Sequence, residues 1–401
     1  MNEVFKAAKI TDRVYWVGAV DWALRDFHGY ATSRGTTYNA YLILADKITL
    51  VDTVKAPFKQ EMMARIASVI NPANISYIIS NHAEMDHSGS LFEVVREVKP
   101  EKVFASQAGV KALEQHFHAP EPVTAVKDGE AISLGNMTAR CFETKMLHWP
   151  DSMVTYLVDE AILFSQDAFG MHLASTERFD DEIGEDILLW EAAKYYANIV
   201  MPFAPFVTRA LEKLRGLNVP FNLIATDHGP IWRKRIGMIT DLYAKWARRE
   251  AVRKAVIVYD TMWQSTARMA QAIAEGVVSG GAQAKVMPLS GSQRSDVATE
   301  VLDAGALIVG SPTLNRGLFP TVADVLTYLQ GLNSANLIGA AFGSSGWSGE
   351  ATGKIEEILR AMKVELVDKA VTARYVPTDE VYAQCMALGK KVAERLRERL
   401  G

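Results

Sequence analysis

The sequence predicts an α/β chain of two domains, a mixed layered unit over residues 1–250 followed by a doubly wound parallel sheet over residues 251–401. Three observations carry this. Short apolar strands alternate with helices through both halves, and the texture changes at a charge-dense seam near residue 250. Beyond the seam, buried strands and helices alternate to the end over about 150 residues, the usual size of one domain.

In the first half, Thr37–Leu44 and Ile48–Asp52 read as paired strands around the turn Ala45-Asp46-Lys47. Residues 57–70 space Phe58, Met62, Ile66 and Val69 as a helix, with Pro57 tolerated at its start. Ile75–Ser80 reads as a buried strand, and 88–98 as a helix opened by Ser88. Ala139–Met146 has a strand's pattern, and Val154–Val158 and Ala161–Ser165 flank the turn Asp159-Glu160. Residues 184–200 read as a helix and Phe221–Thr226 as a further strand. The seam, Trp246–Lys254, ends a helix, and Ala255–Tyr259 then reads as a fully buried parallel strand. Helix 267–278, strands 283–288 and 305–310, helix 320–330, strand 337–342 and helices 351–362 and 385–400 complete the pattern.

Composition narrows the function classes. Apolar residues make up 49% and charged residues 22% of the chain, which supports sizeable cores. The net charge of −4 is spread without long single-sign runs, so a nucleic-acid partner has no electrostatic footprint. No apolar run approaches the roughly 20 residues that span a bilayer, and Met1–Lys6 lacks the layout of a signal peptide. The two cysteines, Cys141 and Cys385, are too few for a disulfide framework or a thiolate metal site. A reducing cytoplasm is the expected location.

The strongest chemical signal is Asn81-His82-Ala83-Glu84-Met85-Asp86-His87, directly after the strand ending at Ser80. It packs four metal-ligating side chains into a strand-to-helix turn. His148, Asp167 and His228 each follow a strand in the same way, whereas His28, His116, His118 and His172 lack that context. Strand ends on one edge of a sheet are where sites assemble in layered α/β proteins. Singly, Asp167 reads equally as a cap and His228 as a turn residue; it is their joint order that points to a metal.

After Ala255–Tyr259 comes Asp260-Thr261-Met262-Trp263-Gln264-Ser265-Thr266, leading into a helix. Hydroxyls and free N–H groups at a helix N-terminus make a phosphate cradle. Two more loops, Gly310-Ser311-Pro312-Thr313-Leu314-Asn315-Arg316-Gly317 and Phe342-Gly343-Ser344-Ser345-Gly346-Trp347-Ser348-Gly349-Glu350, also follow parallel strands. Trp347 offers a flat face for stacking, against the plainer reading that it packs in the core.

The His-x-Glu-x-Asp-His cluster with its downstream partners resembles the metallo-β-lactamase superfamily, which implies an αββα sandwich. The second half resembles flavodoxins, which implies FMN on the three loops. Zinc hydrolases of the superfamily carry His where this chain has Glu84, and Glu there is the signature of the flavodiiron branch. Carboxylates stabilise the ferric state, so three carboxylates with four imidazoles suit redox-cycling iron better than zinc. The fusion is therefore similar to flavodiiron proteins, nearest the rubredoxin:oxygen oxidoreductase type of anaerobic bacteria, which the runs Arg25–Tyr30, Phe179-Asp180 and Tyr195–Ile199 also resemble.

The resemblance implies that His82, Glu84 and His148 hold one iron, that Asp86, His87 and His228 hold the other, and that Asp167 bridges them. In some members water replaces the residue matching His87, so that ligand stays open. It further implies a cytoplasmic reductase that passes electrons from a donor, rubredoxin or a reduced deazaflavin, through FMN to the iron pair. The substrate would be dioxygen, nitric oxide or both, and the assembly a head-to-tail homodimer. His28 and Tyr195 are candidate proton or hydrogen-bond donors to the bound oxidant, with packing as the alternative. Two rivals remain: a zinc hydrolase with a flavodoxin-like appendage, and an electron carrier without metals.

Overall fold

The computed structural model describes residues 4–119 and 121–401, so Met1, Asn2 and Glu3 of the start considered above lie outside the described residues. Two compact units are present. The first comprises Met1–His28, Thr32–Tyr195 and Phe203–Ala244, and the second Gly29–Ala31, Tyr196–Pro202 and Lys245–Gly401.

The first unit holds two stacked sheets. One is seven-stranded, in the order Ala8–Lys9, Val14–Trp16, Tyr41–Ile43, Thr49–Val51, Tyr77–Ser80, Lys102–Ser106, Thr124–Val126. The other is five-stranded, in the order Ala131–Ser133, Thr138–Glu143, Met153–Leu157, Ile162–Gln166, Leu223–Thr226. The two-residue period of a strand sorts the side chains between layers. Tyr41, Ile43, Val51 and Ile79 enter a core shared with Cys141, Leu157, Phe164 and Ala225 of the second sheet. Leu42, Leu50 and Ile78 point the opposite way, against Met62, Ile66, Leu91 and Val94 of the helices Lys59–Ala67 and Leu91–Val98. Tyr77–Ser80 runs parallel to both its neighbours, as Ile162–Gln166 does to Leu223–Thr226, so the turns after Ser80, Gln166 and Thr226 all lie at carboxyl ends of parallel strands.

Three expected elements differ. The strand expected over 37–44 is two strands: Thr36–Tyr38 pairs with Ala19–Asp21, and Tyr41–Ile43 with Thr49–Val51. The break is at Asn39, whose side chain accepts from Trp16 Nε1 and donates to the Thr226 and Gly229 carbonyls. Ser88 does not open a helix; it closes the short helix Met85–Ser88, and its hydroxyl donates back to Ala83 and Glu84. The helix expected over 184–200 is α only for Glu185–Tyr195 and widens to a π turn over Tyr196–Val200.

The second unit is built on a six-stranded, wholly parallel sheet in the order Gln283–Pro288, Val252–Tyr259, Ala304–Pro312, Ile338–Ser345, with Glu365–Leu366 and Val371–Arg374 both pairing with the last. The chain steps first to one side of Val252–Tyr259 and then to the other, which puts a topological switch between its carboxyl end and that of Ala304–Pro312. On one face Ile257, Ile308, Ala340 and Phe342 pack against the helices Ser265–Ser279 and Asp379–Leu400 through Met269, Ile273, Leu388 and Val392. Those two helices meet at Gly276 and Gly389, where an added Cβ would lie 2.2 Å from the Met386 carbonyl and 2.1 Å from the Ile273 carbonyl. The helix Arg294–Val301 has no counterpart in the sequence reading.

Candidate functional site

All seven sequence-derived ligand candidates converge in the first unit. Imidazole Nε2 atoms of His82 and His148 lie 3.3 Å from the Glu84 carboxylate, and 3.4 and 3.1 Å from Asp167 Oδ2. His87 Nε2 lies 3.3 Å from Asp86 Oδ1 and 3.1 Å from Asp167 Oδ1, and His228 Nε2 lies 3.1 and 3.4 Å from the same two carboxylates. Asp167 thus turns one oxygen to each group. Two ligand sets result: His82, Glu84, His148 and Asp167, and Asp86, His87 and His228.

These separations test whether metal fits. Donors bound to one ion at roughly 2.0–2.2 Å stand about 3.0–3.4 Å apart, as here. Asp86 Oδ1 and Oδ2, His87 Nε2 and Asp167 Oδ1 are buried and have no hydrogen-bond partner among the described residues. Buried polar atoms normally find partners, so these converge on a point rather than on each other.

The far nitrogens are held by groups the sequence did not advertise. His82 Nδ1 donates to Asp151 Oδ2 at 3.0 Å, which also accepts from the Ala83 N–H at 2.6 Å. His228 Nδ1 donates to the Thr37 carbonyl at 2.6 Å, and His87 Nδ1 faces Asp227 Oδ2 at 3.5 Å. Such partners fix ring orientation and leave Nε2 free for a metal. The Gln166 side chain donates to the Leu147 carbonyl and accepts from the Asp167 N–H, tying the His148 loop to Asp167. Behind them Asp52 accepts from both nitrogens of Asn81, yet burial still pushes its carboxyl up to about 6.

Charge in the cluster is self-compensating. Burial opposes ionisation of Asp86 and Asp167, but the neighbouring imidazoles outweigh it and hold both carboxyls below their usual range. Burial likewise opposes protonation of His82, His87 and His148, and the surrounding carboxylates raise all three.

Around the cluster, Tyr195 is buried, with its ring 6.1 Å from that of His228, and burial raises its hydroxyl well above the ordinary range. His28 lies at the mouth, with its side chain 75% exposed and Nε2 3.7 Å from Glu84. It lines a cavity of about 520 Å³ with Phe27, Lys55, Glu84 and Asp86. His172, which the strand-end pattern passed over, packs its ring 4.6 Å from His228, and its Nδ1 pairs with the Thr36 hydroxyl at 2.9 Å. Burial lowers its basicity sharply, so it sits there neutral.

The second unit carries a cavity of about 560 Å³ at the carboxyl ends of its strands. Met262, Trp263, Ser265, Pro312, Thr313, Leu314, Asn315, Ser344, Ser345, Gly346, Trp347 and Ser348 line it, joined by Arg316 and Tyr375, which were not among the candidates. Thr261, Gln264, Thr266, Gly317 and Gly349 stand in the same loops but off the lining. Trp347 is 87% exposed, so the core-packing alternative for it fails. The lining suits a phosphate-bearing aromatic ligand. Gln264 makes no side-chain cap for the helix Ser265–Ser279, and the buried Thr261 hydroxyl has no partner among the described residues. Thr266 Oγ1 reaches Ser344 Oγ at 2.9 Å, joining two of the loops.

Comparison with known proteins gives the same two halves. Residues 36–229 match the model of the ODP family beta lactamase and residues 257–389 that of flavodoxin. A nitric oxide reductase from Moorella thermoacetica is 46% identical over 97% of this chain and 98% of its own. A rubredoxin oxygen:oxidoreductase structure from Desulfovibrio gigas superposes with a TM-score of 0.96 at 44% identity, covering 99% of this chain and 100% of that one. The flavodiiron protein from Giardia intestinalis superposes with a TM-score of 0.95 at 32% identity, covering 98% of each.

Proposed function

The chain belongs to the flavodiiron protein family, and we propose on that basis that its buried seven-residue cluster holds two irons and its loop-lined cavity holds FMN. The carrying observation is Asp167, whose two carboxylate oxygens each face a separate set of imidazoles and carboxylates. When bound, FMN relays electrons and the iron pair reduces dioxygen, nitric oxide or both. Residues 1–250 are assigned to the diiron domain and 251–401 to the flavin domain. A rubredoxin-type donor, a head-to-tail homodimer and a cytoplasmic setting are the finer readings, supported by the family. Among the described residues no helix is long and apolar enough to cross a membrane.

The chain's own residues do the positioning and the proton handling. His82, Glu84 and His148 would hold one iron, Asp86, His87 and His228 the other, and Asp167 both. Asp151, Asp227 and the Thr37 carbonyl keep the imidazoles turned so that Nε2 faces inward. Burial keeps the Tyr195 hydroxyl protonated, which makes it a hydrogen-bond donor toward the ligand set. His28, exposed at the mouth and within 3.7 Å of Glu84, is placed to carry protons in from water.

The test is anaerobic stopped-flow reoxidation of the fully reduced protein, with metal and flavin quantified on the same sample. About two irons and about one FMN per chain, reoxidised rapidly by either gas, are expected; zinc instead of iron would return the hydrolase. His28→Asn and Tyr195→Phe should slow reoxidation on the order of tenfold or more with iron content intact. Unchanged turnover in both would assign them to packing.

A further inference from the structure

Outside the residues used so far, the flavin cavity contains one oddity. Among the described residues that line it, Arg316 is the only one with a formal charge, and no carboxylate lines it. Arg316 also occupies an unfavourable backbone position. Leu314 and Gly317 exchange both backbone hydrogen bonds, at 3.1 and 2.8 Å, which closes a two-residue turn. Its tip residues, Asn315 and Arg316, both have left-handed φ, 50° and 59°. The second tip of such a turn is ordinarily glycine, because any Cβ there crowds the following carbonyl. A strained residue that persists where a relaxed one would serve invites a functional reading.

The surroundings reinforce the charge. Lys354 Nζ donates to the Arg316 carbonyl at 2.9 Å, and Arg374 Nε donates to the Gly346 carbonyl at 3.1 Å on the opposite loop. The facing acid is Glu350. Its carboxylate accepts from the Gly349 N–H at 3.0 Å and is held low first by backbone hydrogen bonds and only lastly by Arg316, with which it makes no ion pair among the described residues. The cavity lining therefore carries a cation whose facing acid lies outside it.

Resting on the reading of this cavity as the flavin site, we infer that Arg316 is a redox-positioning residue that makes the cavity hold reduced flavin more tightly than oxidised flavin, and so raises the flavin's midpoint potential. Oxidised flavin takes two electrons from the donor protein and one proton from water, forms an N–H bond, and gains one negative charge. A cation beside it stabilises the more negative state. The strain at Arg316 is what the fold tolerates to place that cation.

The experiment uses the full-length protein, stripped of FMN and titrated with oxidised and with reduced FMN, alongside a redox titration of the bound flavin. Arg316→Gly and Arg316→Asn, which both accept left-handed backbone, should weaken reduced FMN roughly tenfold relative to oxidised, lowering a two-electron midpoint by about 30 mV. Arg316→Lys should stay within about threefold of the parent, and the neutral variants' deficit should match what high salt does to the parent protein. Arg316→Gly should melt no lower than the parent, since it relieves the turn. Equal loss of both redox forms in the neutral variants, no loss of either, or a lysine variant as defective as the glycine one would each overturn the inference. A parent protein that takes up no FMN would instead sink the reading of the cavity itself.

Discussion

Asp167 concentrates the chemistry in one side chain. Both its oxygens are committed, one to each ligand set, so Asp167→Asn replaces an oxygen with an amide that cannot ligate in the same way. Iron bound by the variant should fall to about one per chain or fewer, measured by metal analysis after reconstitution; full occupancy would remove Asp167 from the bridging role. The imidazoles predict a pH dependence. Carboxylates raise the proton affinity of His82, His87 and His148 in the metal-free cluster, and a metal must displace those protons. Metal affinity should therefore weaken as pH falls, and should still be rising with pH above about 6.5, where a free imidazole is already half neutral. A flat competition titration across that range would contradict it. The seven residues that cluster were legible in the sequence because each combines a side chain able to ligate with a strand end. Asp151, His172 and Asp52 were not, since a carboxylate or imidazole that serves a residue far along the chain leaves no local spacing.

At the scale of elements, legibility followed periodicity. The central parallel strands of the second unit, Ala304–Pro312 and Ile338–Ser345, stood out because both faces are buried along nearly all of their length. Thr37–Leu44 misled for the converse reason. Its strand-like run is interrupted only by Asn39, whose side chain contacts three separate groups and whose backbone N–H donates to the Asp227 carbonyl, and there the strand breaks. The short helix Met85–Ser88 was hidden because the metal-ligand cluster, not an apolar stripe, dictates its composition. The crossing of Ser265–Ser279 with Asp379–Leu400 supplies a stability prediction. A methyl at Gly389 would meet backbone, 2.1 Å from the Ile273 carbonyl and 2.8 Å from the Val277 nitrogen, so the helices must separate. Alanine's better helix propensity returns roughly 1 kcal/mol at most, against about 1–3 kcal/mol for overpacking. Gly389→Ala should lower the melting temperature of the flavin-binding unit by several degrees in calorimetry, and a variant as stable as the parent would show that the helix pair is looser than its geometry.

Over the whole molecule, chemistry is divided: one unit has the cluster of candidate ligands and the other the cavity lined by the three strand-end loops. If electrons cross between chains of a homodimer, chains crippled in different halves should rescue each other. Asp167→Asn chains co-expressed with Ser265→Asp chains, whose new carboxylate would repel a phosphate seated at that helix start, should recover part of the turnover that neither has alone. Recovery no greater than the two separate preparations would reject transfer across the dimer. The ligand cluster has one more consequence. Its members come from four stretches of chain widely separated in sequence, so an ion held as proposed would also be a clasp across otherwise independent turns. Loss of the ions would leave those turns joined only by weaker contacts, while the flavin-binding half keeps its own core. A cell starved of iron would then hold a molecule with one firm half and one nickable half, and proteolytic turnover would report its metal supply.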